Sequence, residues 1–552
     1  MSATPFNEEK PGRAMLALAL ALAMLGLLTA VALVARPMTP IDETRYVSVA
    51  WEMWLRGDFL VPFKNGAPYS HKPPLMIWMF QAGWAVFGVN EWWPRLVSPL
   101  FSAGGLLLTM SLAGRLWPAQ SGLGGQAVVV LSACLLWTIF STSAMFDVLL
   151  AFFTLIGMHG TLLAADGKPR RGFALLGLAI GLGVLAKGPV ILLHLLPAAV
   201  LAPWWNRAGS SHVAVRWPRW FGGILLAVLL GTAIALSWAI PAGMAGGEEY
   251  RRAIFWGQTA DRMVQSFAHR RAFWWYLPLL PVMFFPWFVW PGLWRALLQF
   301  GRQGLDRGGR FCLAWMLPVF LAFSFISGKQ PHYLIPVFPA FALLTVRALR
   351  DGTRTGGLGL PSFLGLAIGA ALLALGAGWI KAPGDALSGL PQWWPGLLLM
   401  LLAGGAYLAG RKLANPMLAL AFLGIALSAL LQLGLAKPLY PAYDVRPIAL
   451  AIHQAQASGR VVAHAGEYDD QYHFAGRLQA PLVLLEGDAA LKTWLSAHPQ
   501  ACVVIYRKNM EMLRGVSPIA AQPYLGGVVA LLDSSTALAL LTTPKASDPR
   551  QD

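Results

Sequence analysis

The sequence predicts an all-α polytopic membrane protein of about thirteen transmembrane helices, followed by a small α/β domain. Three observations predict it. Of 552 residues, 57% are hydrophobic and only 12% charged, against roughly 45–50% apolar and 25% charged in soluble domains. Apolar windows of about 18 residues or more recur as far as residue 436. From 437 to 552 helix-like stretches (RPIALAIHQAQASG, DAALKTWLSAH) alternate with short β-rich runs (RVVAHAG, ACVVIYRK, GGVVALLDS), the pattern of a small α/β fold with its own core.

The first window, 14–35, follows Lys10 and Arg13 and ends in ALVA, which resembles a signal peptide. It is too long for the roughly 7–15 residues of a signal's apolar region, so it reads as a retained span. Further windows fall near 95–114, 124–141, 146–165, 172–186, 188–205, 220–241, 275–299, 311–326, 334–348, 361–380, 395–410 and 416–436. With the N-terminus inside, the inside connections hold Arg115; Lys168, Arg170 and Arg171; Arg207, Arg216 and Arg219; Arg302, Arg307 and Arg310; Arg347, Arg350 and Arg354; and Arg411 with Lys412. Every inside connection is then basic, as the positive-inside rule requires. An odd span count places the C-terminal segment outside, together with loops at about 36–94, 242–274 and 327–334. The domains are therefore 1–436, spanning the membrane, and 437–552.

The formal net charge of +17 needs no nucleic acid to explain it, since inside loops carry such an excess. Yet the outside loops are basic too, through Arg45, Arg56, Lys64, Lys72, Arg251, Arg252, Arg262, Arg270, Arg271 and Lys329. Long loops escape the positive-inside rule, so these are either solvated charges or an outside site for anions. Cys134, Cys312 and Cys502 are too scattered to form a disulfide or metal framework. His269 with Asp261, and His464 with His473, match no recognised ligand spacing, so no metal is required and only an incidental divalent ion is left open.

Five stretches combine charge with a membrane boundary. In PIDETRYVSVAWEMWL a helix starts after Pro40, and Asp42, Arg45 and Tyr46 share one face at spacing i, i+3, i+4. Asp42 is placed either to cap that helix or to act as an ionised base or cation-binding group. In PYSHKPPLMIW, Pro73 and Pro74 hold the approach to the bilayer extended behind Tyr69, His71 and Lys72. Lys72 either snorkels or meets a phosphate. Asp147 in FDVLLAFF and Lys187 in AKGPV sit at outside span ends, as a structural pair or as substrate contacts. GKQPHYLIPVFP offers Lys329, His332 and Tyr333 at a helix mouth. No Walker A, GxGxxG or DxD stretch is present, which argues against a nucleotide donor.

Asp42–Glu43 with the following RY, then YSHKPPLMIW, FDVLLAFF, AKGPV and GKQPHYLIPVFPA, resemble the GT-C glycosyltransferases related to the protein O-mannosyltransferases. They are most similar to the branch that places 4-amino-4-deoxy-L-arabinose on lipid A. The resemblance runs through the whole chain and implies a GT-C fold and a bacterial inner-membrane enzyme active at the periplasmic face. It further implies undecaprenyl-phosphate aminoarabinose as donor, lipid A or its Kdo-bearing precursor as acceptor, surrounding membrane lipids as partners, anomeric inversion, and resistance to polymyxin and cationic peptides. Asp42 matches the family's catalytic carboxylate, with Glu43, Arg45 and Tyr46 beside it, and Tyr69 ahead of the KPP stretch is a further candidate substrate contact. Lys72 matches the contact to the carrier phosphate, Asp147 and Lys187 the charged pair near the cavity, and Tyr333 the tyrosine after GK. The phosphate arginine of the 242–274 loop falls on Arg262 or Arg270. Ser70–His71 departs from the pattern ahead of the lysine. Rival expectations are a GT-C enzyme with another acceptor and a lipid-linked sugar transporter. The transporter calls for repeated halves and midplane charges, and neither is visible.

Overall fold

The computed structural model describes residues 11–120, 122–207, 215–257, 271–350, 357–380, 392–412 and 416–542. Among them, ten helices are long and apolar enough to cross a membrane. They become eleven if Leu123–Ala133 and Leu135–Ser141, bent by 76° at Cys134, count as one span. The chain is thus a multi-pass membrane protein. Two of the thirteen windows do not resolve into full spans. The window at 188–205 forms Val190–Val200 and Ala202–Trp205, punctuated by Pro189, Pro197 and Pro203. The window at 275–299 breaks into Leu277–Leu279, Leu280–Met283 and the start of Pro291–Gln303. Pro278, Pro281, Pro286 and Pro291 each lack an amide donor and crowd the preceding turn.

The described residues form two compact units, the first from Met1–Leu33, Ser70–Gly376 and Trp393–Gly434. Within it, helices Phe146–Ala165 and Pro169–Lys187 run antiparallel around a turn at Gly167. Their backbones meet closely at two glycines. A Cβ on Gly160 would lie 2.7 Å from the Gly172 carbonyl oxygen, and one on Gly172 would lie 2.4 Å from the Ala164 nitrogen. This hairpin brings the first residues of one helix beside the last of the other. Near the turn, Arg307 pairs with Asp166 at 2.8 Å. Asp306 caps helix Arg307–Phe325 through the Gly309 amide at 2.7 Å and also receives Arg347 Nε at 2.6 Å. Basic residues of the connections that the sequence assigns to the inside are in this way partly neutralised.

The second unit comprises Val34–Tyr69, Ala377–Gln392 and Leu435–Asp552. Its first segment is the helix Asp42–Arg56 followed by a two-stranded hairpin, β1 (Phe63–Lys64) and β2 (Ala67–Pro68). Asn65 and Gly66 join the strands with φ of 49° and 82°, the positive-φ pair that two-residue hairpins favour. The C-terminal segment holds β3 (Val462–Ala465), β4 (Val483–Leu485), β5 (Cys502–Arg507), β6 (Ala520–Tyr524) and β7 (Gly527–Asp533) in the order β4-β3-β5-β7-β6. The β4-β3-β5 half is parallel and the β5-β7-β6 half antiparallel. Alternate residues Val462, Cys502, Val504, Val529 and Leu531 pack with Ile448 and Ile452 of helix Arg446–Ala457. Ala463, Val503, Ile505, Ala530 and Leu532 pack with Leu491 and Leu495 of helix Asp488–Ala497. A sheet covered on both faces needs apolar residues at both parities, hence the unbroken VV and ALL runs.

The segment Val34–Tyr69, which the sequence places in the first long loop, is integrated here with residues more than 400 positions away. Trp51 Nε1 donates to the Leu478 carbonyl at 3.0 Å, and Ser48 Oγ accepts from the Phe474 amide at 3.0 Å. The Asn65 amide exchanges two hydrogen bonds with the Leu482 backbone, at 2.8 and 3.0 Å.

His464, on β3, is fully buried. Nδ1 lies 3.2 Å from the Gly466 carbonyl oxygen and Nε2 3.0 Å from the Tyr506 hydroxyl, which also bonds Gln471 and Tyr472. Burial holds its pKa down to about 4. The folded state therefore binds fewer protons than the unfolded state between about pH 4 and 6.5. The stability linked to His464 is complete above pH 6.5 and lost as pH falls through 4, on the order of 3 kcal/mol. Thermal unfolding of the detergent-solubilised protein should drop over that window, and His464→Gln should flatten the drop.

Candidate active site

In the second unit the functional side chains lie at the start of helix Asp42–Arg56. The N-cap is Ile41, which makes no side-chain cap bond. Asp42 is therefore not spent on capping, although a carboxylate in the first turn suits the helix dipole. Its Oδ1 receives both the Arg45 guanidinium and the Tyr46 hydroxyl, the latter at 3.1 Å. The Asp42 side chain keeps 46% exposure, so part of the carboxylate is open among the described residues. Arg45 turns its other arm to Asp469 at 2.8 Å, and Lys64 Nζ stands 3.8 Å from the same carboxylate. Burial opposes the Arg45 charge, but Tyr69, Tyr46, Asp42 and Asp469 around it prevail and raise its pKa further. Burial and the Asp42 charge likewise raise Tyr46, so it stays a hydroxyl donor. The result is a carboxylate fixed in direction by a guanidinium and a hydroxyl, able to take a cation, a sugar hydroxyl or a developing positive centre.

Glu43 and Tyr69 are buried in the same unit. Glu43 accepts from Arg36 at 2.5 Å and from the Thr39 amide at 2.8 Å, so its carboxylate ties down the approach to the helix. Tyr69 donates its amide to the Pro62 carbonyl at 2.7 Å, and its phenol lies within electrostatic reach of Arg45.

In the first unit a second group of charges gathers. Asp147 begins helix Phe146–Ala165 and Lys187 ends helix Pro169–Lys187, the two positions each charge prefers by the helix dipole. The antiparallel hairpin makes them partners, with Lys187 Nζ bonded to Asp147 Oδ1. The side chains are 10% and 1% exposed. Lys187 Nζ also lies 5.1 Å from the centre of the Tyr333 ring, and Lys72 Nζ 5.6 Å from that of Phe146. Lys72, Lys187 and His332 all act electrostatically on Asp147. The His332 and Tyr333 rings touch edge to face, with centroids 4.9 Å apart. Lys72, Asp147, Lys187 and Tyr333, distant in sequence, thus form one cluster. Lys329 is instead buried and bonds the carbonyls of Arg271 and Ile326, at 3.0 and 2.5 Å.

Arg262 and Arg270 lie outside the described residues. Sequence reasoning missed Asp469, which the chain marks by nothing more than the acidic pair DD in GEYDDQYH. It also passed over the Asn-Gly hairpin, a readable turn signature.

The helical bundle with its following α/β sheet defines a class: the chain is a multi-pass membrane protein with the GT-C fold. Its fold matches the crystal structure of ArnT from Cupriavidus metallidurans bound to undecaprenyl phosphate, at TM-score 0.72 and 21% identity over 96% of this chain and 99% of that one. The apo structure of the same protein matches equally, at 0.72 and 22% identity over 94% and 98%. By sequence, residues 71–238 match the family model described as dolichyl-phosphate-mannose-protein mannosyltransferase. The chain is 36% identical over 358 residues to the undecaprenyl phosphate-alpha-4-amino-4-deoxy-L-arabinose arabinosyl transferase of Pseudomonas aeruginosa strain LESB58, covering 61% of this chain and 60% of that protein. The protein of the same name in Edwardsiella ictaluri is 31% identical, with coverages of 61% and 61%. The chain thus spans about three fifths of the length of these relatives.

Proposed function

We propose that the chain is a lipid-to-lipid glycosyltransferase, moving 4-amino-4-deoxy-L-arabinose from undecaprenyl phosphate to a lipid A phosphate at the periplasmic face of a bacterial inner membrane. The observation that carries this reading is the 36% identity to a transferase named for that donor. The two charged clusters have the chemistry it requires. When the sugar–phosphate bond breaks, negative charge develops on the bridging oxygen and the carrier phosphate leaves as an anion. Lys72, with Tyr333 as hydroxyl donor, is suited to neutralise that charge, and Lys187 holds Asp147 beside them. The attacking lipid A phosphate is already an anion, so it needs little deprotonation. Asp42 then either holds the sugar ammonium or stabilises the oxocarbenium-like carbon, and attack from the opposite side inverts the anomeric centre. The reading calls for no nucleotide, because the sugar arrives already activated on the carrier phosphate. Covering lipid A phosphates with a cationic sugar weakens attraction for polymyxin and other cationic peptides.

The mannosyltransferase family model over 71–238 favours a second reading, in which the same donor chemistry serves another acceptor, such as a protein hydroxyl. Mass spectrometry of lipid A from cells with and without the protein separates the two. An added aminoarabinose on a lipid A phosphate is expected only with the protein present. An unchanged phosphate profile, with the carrier-linked sugar still consumed, would move the acceptor elsewhere.

A further inference from the structure

Ten residues beyond Asp42, about 15 Å along the helix axis, Glu52 turns into the second unit. There it meets Asp470 and His473, and one ligand atom from each lies within 4.8 Å of the others. The three are 6%, 0% and 2% exposed. Both Asp470 oxygens are buried without a hydrogen-bond donor among the described residues. The one ion-pair contact among the described residues is His473 Nδ1, 2.7 Å from Oδ1 but outside hydrogen-bond geometry. We propose that Glu52, Asp470 and His473 hold a divalent transition-metal ion that pins the Asp42–Arg56 helix to the C-terminal α/β layer.

The surroundings prepare each side chain as a ligand. Glu52 Oε1 and Oε2 accept the amides of Asn65 and Gly66 at 2.5 and 2.8 Å, donors that favour the ionised form and leave each oxygen a further lone pair. These amides are oriented by the Asn65–Gly66 hairpin turn. His473 Nδ1 faces Asp470 and also lies 2.8 Å from the Tyr468 hydroxyl.

Charge balance points the same way. Two buried carboxylates against one imidazolium leave a net charge of minus one, whereas a divalent cation with neutral imidazole balances both. One imidazole and two carboxylates suit zinc or manganese rather than calcium or magnesium, which prefer all-oxygen shells. The chief competitor is a proton shared between the carboxylates.

The experiment measures metal content of the full chain, purified in detergent without chelator, and its melting after chelation and after zinc is added back. The expected result is a single bound transition-metal ion per chain, a lower melting temperature on chelation, and recovery with zinc. Asp470→Asn should hold the ion at least tenfold more weakly and melt at a temperature indifferent to chelator. A metal-free wild type that ignores both chelator and zinc would overturn the proposal. So would an Asp470→Asn variant that keeps its metal, or one that melts higher than the metal-depleted wild type, the sign of a relieved proton-sharing pair. If Asp470→Asn does not fold, the wild-type arm decides alone.

Discussion

Asp42→Asn is expected to lower sugar transfer by about a thousandfold, the scale of losing a positioned charged group, while the protein stays folded. The structure separates the two effects. Asp42 caps nothing, because Ile41 occupies the N-cap. Asparagine keeps the volume and a carbonyl oxygen for the Tyr46 hydroxyl. Arg45 loses one carboxylate but retains Asp469, and a pair with one half-exposed partner contributes only about 0–1 kcal/mol. Transfer measured with purified protein and carrier-linked sugar, beside a melting curve, reads both quantities. A variant with near-normal transfer would remove Asp42 from the chemistry.

Asp147→Ala should act in the opposite proportion, destabilising the protein by about 3–5 kcal/mol. It leaves the Lys187 ammonium, at 10% exposure, without its carboxylate. Adding Lys187→Met should restore more than half of that loss, since the pair costs least when both charges go together. Unfolding of the single and double variants in detergent measures the coupling. If the double variant is stable yet inactive, the pair itself contributes to transfer directly. If activity returns with stability, the pair serves to fix the two helix ends. A single variant as stable as the wild type would contradict the buried ion pair itself.

What the sequence made legible follows the range of the interactions. Spans are local properties of composition, and the apolar windows locate them except where clustered prolines at 189–203 and 278–291 interrupt the helix. The Asp42–Arg45–Tyr46 face is also local, at i, i+3 and i+4, and it forms as the spacing implies. The Asp147–Lys187 contact needed only a helical hairpin. By contrast, Arg45 meets Asp469 across 424 positions, and Glu52 meets Asp470 and His473 across a comparable gap. Nothing in periodicity or hydropathy reports such contacts. They depend on which outside segments fold together, which composition leaves open.

The joint folding of Val34–Tyr69 with the chain beyond Leu435 sets an order of events during synthesis. The helix bearing Asp42 is synthesised more than 400 residues before Asp469, Phe474, Leu478 and Leu482, the partners of Arg45, Ser48, Trp51 and Asn65. Throughout insertion of the intervening spans, that helix lacks the surface that orients it. The charged constellation is therefore completed only after the intervening spans have been made, and a chain arrested before Asp469 would hold those spans but not the geometry around Asp42.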